Sequence, residues 1–190
     1  MVGSELHHLE RAWSLWFLGN ATTSDSTSEW EENLKLVHTV NTVEDFWGLF
    51  SYILPASKLA VGSDYSFFKH SIVPKWEDSA NRDGARWILR TPAKCRLELD
   101  GYWMEVLLTL IGEGFDEYVD CIAGVVVSIR TRYDRLALWI LNKHSDQVIK
   151  RIGYILKNRL RLQADYNLIY QTHQDAMLKN DYCSDRKITI

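Results

Sequence analysis

A chain of 190 residues with 46% apolar and 25% charged residues, ten glycines and only three prolines fits one globular domain and excludes disorder, collagen and a disulfide scaffold. Lysine and arginine number 22 against 25 aspartates and glutamates, so the net charge of −3 argues against coating long nucleic acid by bulk electrostatics. The apolar runs fall far short of the roughly 20 residues that a membrane helix requires.

In chain order, β-branched and aromatic residues predict a strand over 34–40. A helix follows, with Thr42 as its cap and Glu44 and Asp45 in its first turn. Val43, Phe46, Trp47, Phe50 and Ile53 recur at helical spacing, and Pro55 stops the pattern near Leu54. A strand is expected over 86–89, then a second helix after Asp100, with Trp103, Leu107 and Leu110 on one stripe and Gly112 near its end. Residues 125–130 and 134–140, joined by Thr131-Arg132-Tyr133, read as a β-hairpin. Alternation puts Arg135, Ala137 and Trp139 on one face and Leu136, Leu138 and Ile140 on the other, so one face is core-like and the other exposes arginines beside a tryptophan. A third, amphipathic helix starts near Ser145 and a last strand covers 168–171. An antiparallel sheet with helices on its apolar side fits this order.

Signs of catalysis are nearly lacking. Gly112-Glu113-Gly114 has no third glycine for a dinucleotide fingerprint, and neither G-x-S-x-G nor a phosphate loop occurs. No histidine pair has metal-ligand spacing, and His173 and Asp175 lack a defined nucleophile. Cys95, Cys121 and Cys183 are odd in number and lack C-x-x-C spacing, so they read as reduced thiols. The opening residues show no secretory signal, which predicts a chain kept inside the cell.

Eight tryptophans are the unusual feature. Trp30 lies in Ser28-Glu29-Trp30-Glu31-Glu32 after a serine- and threonine-rich stretch, and Trp76 in Pro74-Lys75-Trp76-Glu77-Asp78 before the turn Asn81-Arg82-Asp83-Gly84. A single loop tryptophan usually tucks under its own loop; two, each beside acids, suggest a binding site. An indole face attracts a flat cation by roughly 0.5–2 kcal/mol, and Glu77, having only acceptors, selects a base edge with two donors, as guanine has. Arg130, Arg132 and Arg135 around one turn suit an oligophosphate, although a solvated basic turn has the same spacing.

These residues, in this order, resemble a known family. Trp13-Ser14-Leu15-Trp16-Phe17, Thr42-Val43-Glu44-Asp45-Phe46-Trp47, Asp64-Tyr65-Ser66, Pro74-Lys75-Trp76-Glu77-Asp78, Gly84-Ala85-Arg86-Trp87 and the segment 108–113 are similar to the messenger-RNA cap-binding translation initiation factor four-E family. The resemblance covers the chain from about His7 to Ile190. It implies an α+β fold: a curved, mainly antiparallel eight-stranded sheet with about three helices on its convex face and a ligand cleft on its concave face. It also implies that Trp30 and Trp76 sandwich 7-methylguanine, Glu77 pairs with its edge, Trp139 contacts the methyl group, Arg130 and Arg135 hold the phosphates, and Arg86 adds a contact. A scaffold or repressor protein carrying a Y-x-x-x-x-L-hydrophobic helix would dock on the convex side at His7, Leu9, Val43, Trp47, Met104, Glu105, Leu108 and Gly112. No catalysis, metal or cofactor is expected, and the location implied is cytoplasmic or nuclear.

The chain departs from the family pattern at Ser128, usually asparagine, at Arg135, usually lysine, and at His8, often proline. The Trp16 to Trp30 segment is longer than usual, so residues 1–6 and 19–29 are expected to be flexible around a single domain spanning 1–190. Trp13 and Trp30 together favour the initiation-type branch over a cap-binding repressor of the same fold. A nucleotide phosphohydrolase is the alternative from another class, and it lacks visible metal ligands.

Overall fold

Side-chain alternation decides how each strand divides the molecule into two faces, and the computed structural model follows that rule through seven antiparallel strands. It describes residues 6–19, 33–142, 144–162, 166–177 and 188–190; the expectations for Trp30, Cys183, residues 1–5 and residues 20–29 lie outside the described residues. The strands are β1 His8–Leu18, β2 Leu34–Thr42, β3 Asp64–Lys69, β4 Ala85–Pro92, β5 Ile122–Ser128, β6 Tyr133–Ile140 and β7 Leu168–Thr172. They lie in the order β2-β1-β3-β5-β6-β4-β7 in one curved sheet. Eight strands were expected. The described residues give seven, with residues 188–190 added to the edge of β7 by Leu168 N–H to Ile190 O (3.0 Å) and Ile190 N–H to Leu168 O (3.2 Å), too short to count as an eighth.

Among the described residues three helices cover one face: α1 Val43–Tyr52, α2 Arg96–Ile111 and α3 Asp146–Arg159; a five-residue α4, His173–Met177, follows β7. Thr42 caps α1 as expected, its hydroxyl accepting from Asp45 N–H at 3.0 Å. Ser145 does the same for α3, accepting from Val148 N–H at 3.4 Å. The second helix begins earlier than Asp100. A 3₁₀ turn, Ala93–Cys95, leads into it, and Arg96 in its first turn is fixed by Asp134 of β6.

The main core lies between helices and sheet. Trp13 stacks on Phe67 at 5.4 Å, Phe46 and Phe50 of α1 meet Phe67 edge-on, and Leu99, Trp103, Leu107 and Leu110 of α2 join them. Trp87 enters the same core from β4 and donates its indole N–H to Ile149 O at 3.0 Å. The opposite, concave face carries a smaller apolar cluster of Phe68, Ile72, Ile88, Ala123, Ala137 and Trp139.

The hairpin register is Val126↔Ala137 and Ser128↔Arg135. Leu136, Leu138 and Ile140 face the main core, as the alternation requires, and Arg135, Ala137 and Trp139 face the concave side. One detail differs from the sequence reading: Trp139 is not exposed beside the arginines. Phe68 packs edge-on against it at 5.3 Å and the His173 ring lies 4.2 Å away, leaving it 4% exposed.

Candidate functional site

The concave face holds a cleft of about 780 Å³. Trp139, Ala137 and Arg135 come from β6, Val126 and Ser128 from β5, Arg86 and Ile88 from β4, and Asp64 and Ser66 from β3. Arg130 enters from the end of the β5–β6 turn, and Trp76 and Glu77 from the loop between β3 and β4. Leu18, Gly19 and Leu34 line another side. Trp76, Glu77, Arg86, Arg130, Arg135 and Trp139 therefore line one cavity, whereas Arg132, the third arginine of the turn, lies outside it.

The apolar end has Trp139 as its floor. Behind it, His173 is buried, and its Nδ1 lies 2.7 Å from Asn81 O, so Nδ1 carries the proton and donates. Burial, assisted by the positive charge of Arg86 and opposed by the Asn81 bond, pushes the imidazole pKa down to about 4. His173 is therefore neutral at pH 7. Asp175 is engaged with Thr172, whose hydroxyl donates to it at 2.5 Å.

The loop carrying Trp76 and Glu77 is tied down by buried polar groups. Asn81 donates its side-chain N–H groups to Val73 O (2.9 Å) and Lys75 O (2.8 Å), and the Asp78 carboxylate accepts from Val73 N–H (3.3 Å) and Ala80 N–H (2.9 Å). Gly84 closes the loop where only glycine fits, because a Cβ there would strike the Ile140 carbonyl. These contacts hold Trp76 half-buried and leave Glu77 exposed at the cleft wall. The Arg86 guanidinium sits 5.4 Å from the Trp76 ring centroid and is aimed by Gln171, whose Oε1 accepts from Arg86 Nε (3.2 Å) and Nη2 (2.7 Å).

The other end is basic and braced. Arg130 makes a two-armed pair with Asp64, 2.6 Å from Nη1 to Oδ1 and 3.1 Å from Nη2 to Oδ2. Its Nη1 also donates to Ile129 O at 2.9 Å and Ser63 O at 3.3 Å. Asp134, fully buried, accepts from Arg130 N–H at 2.8 Å and from Arg96 Nε and Nη2 at 2.8 and 3.1 Å. That carboxylate holds the Arg96 guanidinium pKa above its usual value. Arg135 is exposed, opposite Ser128 on one side and Arg90 on the other. An aromatic, acid-edged pocket thus runs into a cationic one, a combination suited to a flat cationic base joined to phosphates. Among the described residues no group of His, Cys, Asp or Glu side chains is placed to hold a metal ion.

The residues expected to meet a partner protein lie on the convex face. His7 N–H and Nδ1 bond the Glu44 carboxylate at 3.1 and 2.7 Å, and His7 O accepts from Val43 N–H at 2.9 Å, joining the start of β1 to α1. Trp47 is 47% exposed on α1 and Leu108 36% exposed on α2. Leu9 and Met104 are partly buried against the core, Glu105 is exposed, and Gly112 ends α2 by donating to Leu108 O at 3.0 Å.

The sequence reading missed Asp64 as the partner of Arg130, Asp134, Gln171, and the Asn81–His173 bond. Only Asn81 carried a signal, as the first residue of an Asn-Arg-Asp-Gly turn.

The family model described as "Eukaryotic initiation factor 4E" matches residues 8–187. Among curated relatives, "Eukaryotic translation initiation factor 4E type 1B" of Homo sapiens is 42% identical over 190 residues, covering 100% of this chain and 77% of its own. The crystal structure of Ascaris suum eIF4E-3 in complex with an m2,2,7G cap superposes with a TM-score of 0.88 at 37% identity, over 98% of this chain and 99% of that one. The complex of C. elegans eIF4E-3 with the 4E-binding protein Mextli and a cap analog gives 0.83 at 40% identity, over 95% and 100%.

Proposed function

Because the chain belongs to the eukaryotic initiation factor 4E family, we propose that it binds the 7-methylguanosine 5′ cap of messenger RNA in the concave cleft and recruits a scaffold protein on its convex face to start translation. The observation that carries this reading is the convergence of Trp76, Glu77, Trp139, Arg130, Arg135 and Arg86 on one cavity. The reading is supported by the cap-bound relative and by the Mextli-bound relative, which fits a partner helix laid across Trp47 and Leu108.

The chemistry is differential attraction. N7-methylation gives the purine a delocalised positive charge, which strengthens its stack on Trp76 and, from the other side, on Trp30. Glu77 accepts from the N1–H and exocyclic amine of the base, and the ligand's charge strengthens both bonds. Trp139 meets the methyl group at the cleft floor. Arg130 enters already oriented by Asp64, so fewer rotamers are frozen when phosphate arrives, and Arg135 and Arg86 add positive charge. Nothing in this scheme breaks a bond: the protein's work is binding, and incubation of 7-methyl-GTP with magnesium and protein yields no 7-methyl-GDP.

Retention on immobilised 7-methyl-GTP, with release by 7-methyl-GTP and not by GTP, tests the base reading. Trp76→Ala or Glu77→Ala abolishes retention in protein that still unfolds cooperatively. Full retention by both variants refutes the assignment.

A further inference from the structure

Helix α2 is apolar on more sides than the core uses. Leu99, Trp103, Leu107 and Leu110 enter the core. On the opposite side, residues 97, 101, 104 and 108 recur at spacings of four, three and four, which sets them on one stripe. The outward stripe of a helix is ordinarily polar, yet this one reads Leu97, Gly101, Met104, Leu108. The surface expected to meet a partner protein takes only Met104 and Leu108 from it. Leu97, 77% exposed, lies about 16 Å farther along the helix axis.

Helix α1 follows the stripe along its length. The start of α1 and the end of α2 are both tied to the first strand region, by Val43 N–H to His7 O and by the Glu113 carboxylate to Arg11. Past the other end of α1, Ser57 donates through its N–H and its hydroxyl to Asp100 of α2. The two helices therefore run antiparallel, and Leu54, 59% exposed, stands just before that clasp. Gly101 is exposed, and a Cβ there would meet nothing within 4 Å. Glycine inside a helix costs stability relative to alanine and is usually explained by the close approach of another chain segment. Among the described residues no such segment approaches it.

We propose that a partner helix docked over Trp47 and Leu108 continues along α2 and seats a further apolar anchor on Gly101, between Leu97 and Leu54. The inference rests on the convex-face reading and deepens it, because it names the partner feature: a docking helix longer than the Y-x-x-x-x-L-hydrophobic motif, with a leucine about seven residues, or two turns, past the motif's own leucine. Continuity carries the choice of occupant, since the stripe runs on from Leu108 with Glu105 as its one charged neighbour on that side. Charge sets the direction. Exposed Glu44 and Asp45 at the start of α1 suit the positive N-terminal end of an incoming helix, and exposed Lys58 at the far end suits its negative C-terminal end. The extension therefore follows the motif. Glu98, the acid next to Leu97 in sequence, is engaged by the Tyr166 hydroxyl at 3.4 Å. Two leucines offer far less than the roughly 800 Å² per partner that a stable dimer buries, so the patch lengthens an interface and does not make one alone.

The test is fluorescence anisotropy of the whole chain with three labelled peptides: a helix carrying the motif alone, the same helix extended with leucine seven positions after the motif's leucine, and the extended helix with alanine there. The leucine-bearing peptide binds at least about fivefold tighter than the motif alone, somewhat less than one fully buried leucine provides because the added turns must be ordered. Alanine at that position erases the gain. Gly101→Arg erases it as well, by filling the space over the helix, and Leu97→Ala lowers it. Arginine favours a helix more than glycine does, so the fold holds, and the affinities for the motif-only peptide and for 7-methyl-GTP stay within about twofold of the parent. Equal or weaker binding of the leucine-bearing peptide, a gain that alanine keeps, or a gain that survives Gly101→Arg overturns the proposal and leaves the convex-face reading intact. Failure of every peptide to bind refutes both. Self-association of the peptide-free chain in sedimentation, abolished by Gly101→Arg, assigns the stripe to a second copy and also overturns the proposal.

Discussion

Asn81→Ala isolates what holds the Trp76 loop in place. The substitution leaves the backbone carbonyl that accepts from His173 and Gly84, and removes only the side-chain amide that donates to Val73 O and Lys75 O at 2.9 and 2.8 Å. Each bond contributes about 1 kcal/mol net, and both carbonyls keep a backbone donor, Lys75 N–H to Val73 O at 2.7 Å and Asp78 N–H to Lys75 O at 3.4 Å, so the closed loop loses on the order of 2 kcal/mol. The loop has few apolar anchors in the main core, so opening is local and global stability falls less than that. Wherever opening becomes the favoured state, apparent affinity drops by the fraction still closed, about tenfold per 1.4 kcal/mol. Titration with 7-methyl-GTP shows a loss of about 10- to 30-fold, hydrogen exchange of the amides in 73–80 accelerates, and the urea midpoint moves little. Affinity within about threefold of the parent, with unchanged exchange, would refute the claim that Asn81 positions the base-stacking loop.

Two further outcomes test the groups behind the cleft. His173 is neutral when buried, with a pKa of about 4 against 6.5 for an exposed histidine, so the unfolded chain binds more protons between those values. Stability is full above pH 6.5 and falls as the pH drops toward 4, by up to about 3 kcal/mol; urea unfolding across that range shows the slope, and His173→Gln flattens this part of it. A parent chain with no slope there contradicts the assignment. Asp134→Ala leaves Arg96 and Arg130 N–H without their buried acceptor and costs about 3–5 kcal/mol in urea unfolding, while Asp134→Asn, which keeps one acceptor, costs less; an effect below about 1 kcal/mol counts against the bracing role.

What the sequence revealed and what it hid divide along a physical line. The hairpin faces were legible because a strand's period of two turns Arg135, Ala137 and Trp139 one way and Leu136, Leu138 and Ile140 the other. The start of α1 was legible because Thr42 caps its own helix. Asp100 misled, since a carboxylate ahead of an apolar run reads as a cap, whereas here it accepts from Ser57 N–H at 2.8 Å and Ser57 Oγ at 2.5 Å, and α2 begins at Arg96 instead. Strand β3 escaped notice because both of its faces are covered: Tyr65 and Phe67 point to the main core while Phe68 packs under Trp139, which erases the polar alternation that marks a half-buried strand.

The same line runs through the cleft. Trp76, Glu77, Arg130 and Arg135 stand out in the sequence because aromatic and charged side chains in polar surroundings are unusual whatever the fold does with them. Asn81, Asp134 and His173 do not, because their importance comes from being buried and bonded across 8 to 92 residues of chain, and neither burial nor partner is written at the position itself. Of the described groups expected to touch ligand, Trp76 and Glu77 sit on one loop, Arg130, Arg135 and Trp139 on one hairpin, and Arg86 on β4. The groups that fix them reach across from α2, β3 and α4, so the precision of the site belongs to the tertiary fold even though its chemistry is local. That division explains why a departure such as Arg135 for lysine leaves the charge pattern readable, while a change at Asp134 would disturb the same arginines without altering a single ligand contact.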